Sequence, residues 1–377
     1  MNRPLAASPF LAAASLALVG CASMSRGEVR WEPTVAWEGD AAIERIRAGR
    51  PDPSDPRLEL VGVDQAGTVI RVRFDGDVPR SDVLYRHGVE LTGLAIADVD
   101  PSVPGEEIYV GGSAAGSGRE GTGGAVIQIV LGGATPRTRV VWTGNEYVHA
   151  IDRLLPASPG DPVRLIVTTY AGEIHLLTPT SGDAPWQDRL VYRDAPAADP
   201  EVPKIKDITL LRDLSGRTPH EAMVVMKMGR VVVLDLERPE TARLVHTEEG
   251  GLSRVNADAE GGAFMSGYFG RVLHVVRDGD GFRVEAIHHE AKDSGLRGAS
   301  LGRFPVPGGT ATLGTFGFFR YCRVLTPRLG AWDATTIFED IDRGHAMEVA
   351  DLIPGNDADE IALGGYSKRI TILVARR

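Results

Sequence analysis

A glycine-initiated phrase recurs along this chain: Gly67-Thr68-Val69-Ile70, Gly124-Ala125-Val126-Ile127, Gly172-Glu173-Ile174-His175, Gly229-Arg230-Val231-Val232 and Gly270-Arg271-Val272-Leu273, roughly 40 to 57 residues apart. Each glycine opens a short apolar run, and further short runs bounded by Gly, Pro, Asn or Asp lie on either side. None is long enough for a globular helix, so the runs read as strands. Four such runs make one copy: Asp40 to Arg86, Gly93 to Trp142, His149 to Tyr192, Lys206 to His246, Ser253 to Ile287 and Gly298 to Phe338. A seventh copy, 343–377, has three runs, and its turn reads Pro354-Gly355-Asn356-Asp357. A sheet of three or four strands cannot bury both faces alone and must stack on its copies. The period and strand count predict an all-β, seven-bladed β-propeller of four-stranded antiparallel blades. Val29 to Trp37, edge-like because of Pro33, is expected to supply the missing strand of the last blade and close the ring. The competing architecture is a pair of β-sandwich domains. The 45 Gly and 24 Pro are spread through the chain, as frequent turns require, and are not gathered in a linker.

Residues 1–20 form a separate unit. Arg3 precedes an apolar run from Leu5 to Val19, too short to span a membrane and suited to a secretory signal. The run ends Leu18-Val19-Gly20-Cys21-Ala22-Ser23, which resembles the bacterial lipobox. The resemblance implies cleavage before Cys21, lipidation of its thiol and amine, residues 21–28 as a tether, and a propeller domain over 29–377. It also implies a membrane partner through that lipid. Two or three acyl chains anchor stably where one does not. Ala22 and Ser23 after the cysteine favour the outer membrane of a two-membrane envelope. Cys322 is the other cysteine, so the chain has no disulfide framework, and its strand-like surroundings suggest a small buried hydrophobe. A net charge of -10 excludes a general nucleic-acid binder, because the phosphate backbone selects basic surfaces.

Two stretches carry a second resemblance. Asp98-Val99-Asp100-Pro101-Ser102-Val103-Pro104-Gly105-Glu106-Glu107-Ile108-Tyr109-Val110-Gly111-Gly112 and Pro354-Gly355-Asn356-Asp357-Ala358-Asp359-Glu360-Ile361-Ala362-Leu363-Gly364-Gly365 resemble the FG-GAP/VCBS-type repeat. This implies an extracytoplasmic propeller of the integrin-like kind. Loops of that family sometimes hold calcium, and Asp98, Asp100 and Glu106, with Ser102 between, stand at alternate loop positions suited to a hard cation. The alternative reading is a capped hairpin, since an Asp ending one strand and a Glu opening the next recur at Asp98/Glu107, Asp213/Glu221 and Asp351/Glu360.

In a propeller the first strand of each blade lines the channel and starts at one mouth. His149, Lys204, Lys206, Arg254, Arg297 and His345, with Thr92, fall at those starts. In an acidic chain they are expected to form a positive funnel for an anion such as a uronate, phosphate or carboxylate. Binding, of an envelope partner protein or of an anionic ligand at the channel mouth, is the leading functional expectation. The alternative is a polysaccharide lyase or hydrolase in which His149 or His345 is the base and Arg254 or Arg297 neutralises a carboxylate. His175, His246 and His274 are expected in strands and His288-His289 in a connection. No phosphate-binding glycine loop, serine elbow or close Cys/His cluster is present.

Overall fold

A computed structural model describes residues 29–376, apart from 118–122, 134, 157, 159, 181, 183, 195–203, 214–219, 291–294, 307–308 and 356–357. The expected signal, Cys21 and tether lie outside the described residues.

Alternating apolar runs separated by tight turns fold into seven antiparallel sheets of four strands each. Blades 1 to 6 are continuous in sequence, with first strands Ile43–Gly49, Leu91–Ala97, Val148–Leu154, Ile205–Leu210, Leu252–Ala257 and Leu296–Val306. Blade 7 contains Gly344–Ala350, Glu360–Gly365 and Arg369–Arg376, completed by Arg30–Glu38. That N-terminal strand pairs antiparallel with the last one, from Arg30 opposite Arg376 to Glu38 opposite Arg369, with a bulge between Val35 and Trp37. The ring is therefore closed as the sequence predicts. First strands pack on first strands from blade to blade in an unbroken cycle.

The core lies between blades as well as within them: Ile43, Ile46, Leu60 and Ile70 of blade 1 pack with Ile370, Ile372 and Val374 of blade 7. Burying apolar faces that no single blade could cover is what holds the ring together. Buried acids that follow the fourth strands pin the outer turns. Asp194 pairs with Arg230, Glu248 with Arg271 (2.8 Å) and Glu290 with Arg323 (2.7 Å), each reaching the next blade, and Asp340 accepts from Ser367 Oγ (2.8 Å). His246 and His288 bond the same Glu248 and Glu290. His288 and His289 end the outer strand Gly281–His289, so the expectation that they lie in a connection is corrected.

The recurring glycine has a backbone explanation outside blade 2, where Gly124 instead opens the third strand Gly124–Val130 without positive φ. The turn from second to third strand is closed by an N–H to C=O bond of 2.9–3.2 Å to the residue three positions earlier, at Gly67, Gly172, Gly229, Gly270, Arg320 and Lys368. All six have positive φ, 62–85°. Glycine is the residue suited to that region, and blades 6 and 7 place Arg320 and Lys368 there instead.

Candidate functional site

Each first strand begins with the same irregularity. The pairing register slips by one residue between Ile43 and Arg45, Leu91 and Gly93, Val148 and Ala150, Ile205 and Asp207, Leu252 and Arg254, Leu296 and Gly298, and Gly344 and Ala346. A bulge re-aims the side chain it leaves unpaired. The seven residues concerned are Glu44, Thr92, His149, Lys206, Ser253, Arg297 and His345. A second ring is set by the residue after each second strand (in blade 2 the strand's last residue), whose N–H bonds the carbonyl just before the first strand, at 2.8–3.2 Å in all seven blades. The donors are Gln65, Ser113, Tyr170, Lys227, Tyr268, Phe318 and Tyr366. The acceptors are Ala42, Glu90, Tyr147, Lys204, Gly251, Gly295 and Arg343.

These three positions build the channel mouth. A cavity of about 120 Å³ is lined by Glu44, Glu90, Thr92, Tyr147, His149, Tyr170, Lys204, Lys206, Lys227, Tyr268, Arg297, His345 and Tyr366, and every one of them occupies one of the three. Four ammonium or guanidinium groups face two carboxylates, in a chain whose net charge is -10. Glu44, Glu90, Thr92, His149, Lys206 and His345 are buried at 3–5% exposure, so these are channel-wall groups and not solvated loop ends.

The structure brings six of the seven expected residues, Thr92, His149, Lys204, Lys206, Arg297 and His345, to this cavity. The seventh, Arg254, lies one layer deeper, because the bulge in blade 5 falls on Ser253. Arg254 donates to the carbonyls of Ser253 (3.1 Å) and Glu44 (3.5 Å). Beside it Arg45 crosses the channel to Asp207 at 3.0 Å and donates Nε–H to the Thr92 carbonyl. Burial, with Arg45 close by, pushes the Arg254 guanidinium down to about 9, against a partial counter-pull from Asp207.

Both mouth histidines are neutral. Arg297 Nη1 lies 3.1 Å from His345 Nε2 and can only donate, so Nε2 accepts and Nδ1 gives its proton to the Glu44 carbonyl at 3.1 Å. Burial first, then Arg297, Arg254 and Lys206, hold His345 well below the ordinary imidazole value. With the ring neutral and Nε2 unprotonated, the 3.2 Å approach of Nε2 to Glu44 Oε2 is neither an ion pair nor a hydrogen bond. Burial and the charges of Lys206, Arg254 and Arg45 hold His149 down likewise. The His149 ring stacks on Tyr170 (5.1 Å, 20°), and its buried Nδ1 has no hydrogen-bond partner.

The aromatic wall was not anticipated from the sequence. Tyr147, Tyr170, Tyr268 and Tyr366 come from positions just before a first strand or just after a second, and the signal for the second set was available in the residue two places before each recurrent glycine or its replacement. Lys206 Nζ donates to Tyr170 Oη at 3.0 Å. At the other end of the channel a cavity of about 240 Å³ is lined by Arg47, Asp152, Arg153, Asp207 and Asn256, among others.

No protein-family model matches this sequence, and no curated protein does. Among solved structures, the chain is similar to the WD40 β-propeller domain of Doa1, with 13% identity and a TM-score of 0.59 over 91% of this chain and 97% of that one. It is also similar to the β-propeller domain of Cps50 (Swd1) from Myceliophteria thermophila, with 12% identity and a TM-score of 0.61 over 91% and 99% of the two chains. The shared property is the propeller fold. Identities this low transfer no ligand, since function resides in the site and not in the fold.

The expected calcium loop has carboxylates engaged by protein donors. Asp98 is exposed. Asp100 is buried and committed to donors: Oδ1 accepts from Ser102 N (3.0 Å) and Oγ (2.6 Å), and Oδ2 from Arg139 (2.8 Å) and Gln128 (3.3 Å). Glu106 accepts from the Arg50 N–H. A carboxylate so filled with N–H and O–H donors is not arranged for a cation, and no group of three acidic, His or Cys side chains among the described residues could hold a metal. The capping alternative describes these loops, with the Glu as the cap. Glu107 Oε2 accepts from Val99 and Asp100 N–H, and Glu360 Oε2 from Leu352 and Ile353 N–H.

Proposed function

We propose that this chain is an extracytoplasmic binding propeller, lipid-anchored through Cys21, that captures an anionic ligand in its channel mouth. The observation that carries the reading is the mouth itself: Lys204, Lys206, Lys227 and Arg297 converge on one small cavity against Glu44 and Glu90, above a further buried guanidinium, Arg254. Excess positive charge walled in by protein attracts an anion far more strongly than the same charge on an open surface. The anchor rests on Leu18-Val19-Gly20-Cys21, and an outer-membrane location on Ala22-Ser23. Among the described residues no helix is long and apolar enough to cross a membrane. The equivalent carboxylate caps of Glu107 and Glu360 support kinship with FG-GAP/VCBS repeats in blades 2 and 7.

Two experiments test this. Growth with a labelled fatty acid should label the wild type and not Cys21→Ala. Binding of polygalacturonate to the purified propeller should weaken as salt rises and fall about tenfold or more in Lys206→Gln/Arg297→Gln. Binding unchanged by the double substitution would overturn the mouth as the site.

One observation favours a catalytic variant of this reading, a polysaccharide lyase or hydrolase. His149 lines the cavity, and burial with the neighbouring cations keeps its imidazole neutral, the form a general base requires. His345 has both nitrogens engaged and is not suited to that role. Release of unsaturated products from acidic polysaccharides by the wild type, lost in His149→Ala and kept in a variant outside the mouth, would establish it.

A further inference from the structure

The walls of the mouth narrow the chemistry of the ligand, on the reading that an anion binds there. Tyrosines in a binding cavity ordinarily offer ring faces for stacking, but here protein groups lie against the rings. His149 stacks on Tyr170, with Lys204 Nζ 4.5 Å and Lys206 Nζ 5.1 Å from the ring centre. Around blades 5 to 7 a continuous ladder alternates rings and guanidinium groups. Arg297 lies between Tyr268 (4.7 Å) and Phe318 (4.8 Å), and Arg343 between Phe318 (5.4 Å) and Tyr366 (4.2 Å). Tyr147 packs against Tyr170 at 4.8 Å. Each ring therefore gives at least one face to a protein cation or ring, and the rings hold the cations in place.

Two further observations bear on size and donors. The cavity, about 120 Å³, is small beside the roughly 300–1,000 Å³ of pockets that enclose whole small molecules. His149 Nδ1 and Arg297 Nε are buried without hydrogen-bond partners. Neither atom is open to the cavity, so recognition rests on the charged side chains that line it, Lys204, Lys206, Lys227 and Arg297.

We propose that the mouth recognises a compact oxyanion, a phosphate, sulfate or carboxylate group as such, by charge and hydrogen bonding, and does not stack the sugar or aromatic ring that carries it. Such a site accepts free inorganic phosphate and the same group at the end of a larger molecule with similar affinity.

Isothermal titration of the purified propeller with inorganic phosphate, sulfate, galacturonate, glycerol 1-phosphate and galactose tests this. Phosphate, sulfate and galacturonate should bind and compete for one site, and galactose should neither bind nor compete. Glycerol 1-phosphate should match inorganic phosphate within about threefold. Arg297→Gln, and Lys227→Gln at an exposed position where folding is not in question, should each weaken all the anions together, by about tenfold for Arg297. Galacturonate binding with competition from galactose, and no phosphate binding, would overturn the oxyanion inference and leave the mouth as a carbohydrate site. Glycerol 1-phosphate binding more than about tenfold tighter than phosphate would also overturn it, since the carrier would then be recognised. No binding of any anion would overturn both the inference and the reading beneath it.

Discussion

Glu59 opens the second strand of blade 1 at 1% exposure, and neither carboxylate oxygen has a hydrogen-bond partner. The nearest cation, Arg71, stands 4.0 Å away and is shared with Asp82 (3.2 Å) and Asp52 (3.6 Å). Burial pushes the Glu59 carboxyl from 4.5 up to about 7, against the pull of Arg71 and with a small push from Asp52. The folded state therefore keeps a proton that the unfolded chain has lost between pH 4.5 and 7. Stability from this group is fully present below about pH 4.5, declines as pH rises through 7, and becomes a standing cost above it. A change from 4.5 to about 7 corresponds to about 3 kcal/mol. Glu59→Gln keeps the shape and removes the charge, so it should stabilise the propeller by up to about 3 kcal/mol at pH 8, or about 4 °C in Tm for a domain of this size. Near pH 4.5 it should change little. Urea unfolding of both proteins at the two pH values measures the difference. Histidine terms are common to both proteins and cancel. An equal effect of the substitution at both pH values would show that Glu59 is not a buried, uncompensated acid.

Three other perturbations follow from the structure. Gly229→Ala, at φ +85° with the Glu248 carbonyl in the path of a Cβ, should cost about 3 kcal/mol or more, whereas Arg320→Gly, at φ +73°, should be neutral or gain up to about 1 kcal/mol; thermal melts compare them. Glu290→Ala removes the shared partner of Arg323 and His288 and should cost about 2–4 kcal/mol in urea unfolding, while Glu339→Ala, on the exposed pair with Arg320, should cost less than about 1 kcal/mol. Deleting residues 30–38 should leave Arg369–Arg376 as an unpaired edge and yield a destabilised chain that associates, read by size-exclusion chromatography.

The blade count and the closure were legible because both are consequences of pattern. Short apolar runs at a fixed period must stack, and a copy that lacks a strand must borrow one. The recurrent glycine was legible for the same reason, since the turn backbone demands positive φ. The hairpin caps were half legible: the strand-opening Glu residues do cap in blades 2 and 7, but Glu221 in blade 4 pairs with Arg277 instead, and Asp98 is exposed. The inter-blade staples went unread, although Asp194, Glu248, Glu290 and Asp340 recur at nearly the blade period, because a lone acid in a turn carries no sequence mark of burial.

The sequence by itself determined which residues begin each first strand, and so which side chains could reach a common axis. It did not determine their depth. A one-residue bulge in every first strand brings His149, Lys206, Arg297 and His345 to the mouth and drops Arg254 into the layer beneath. That choice depends on pairing with the second strand, which no local pattern encodes. The tyrosine rings reach the same cavity from turns well separated in sequence from the cations they hold, and only strand pairing within blade 7 and the stacking of blade on blade make them neighbours.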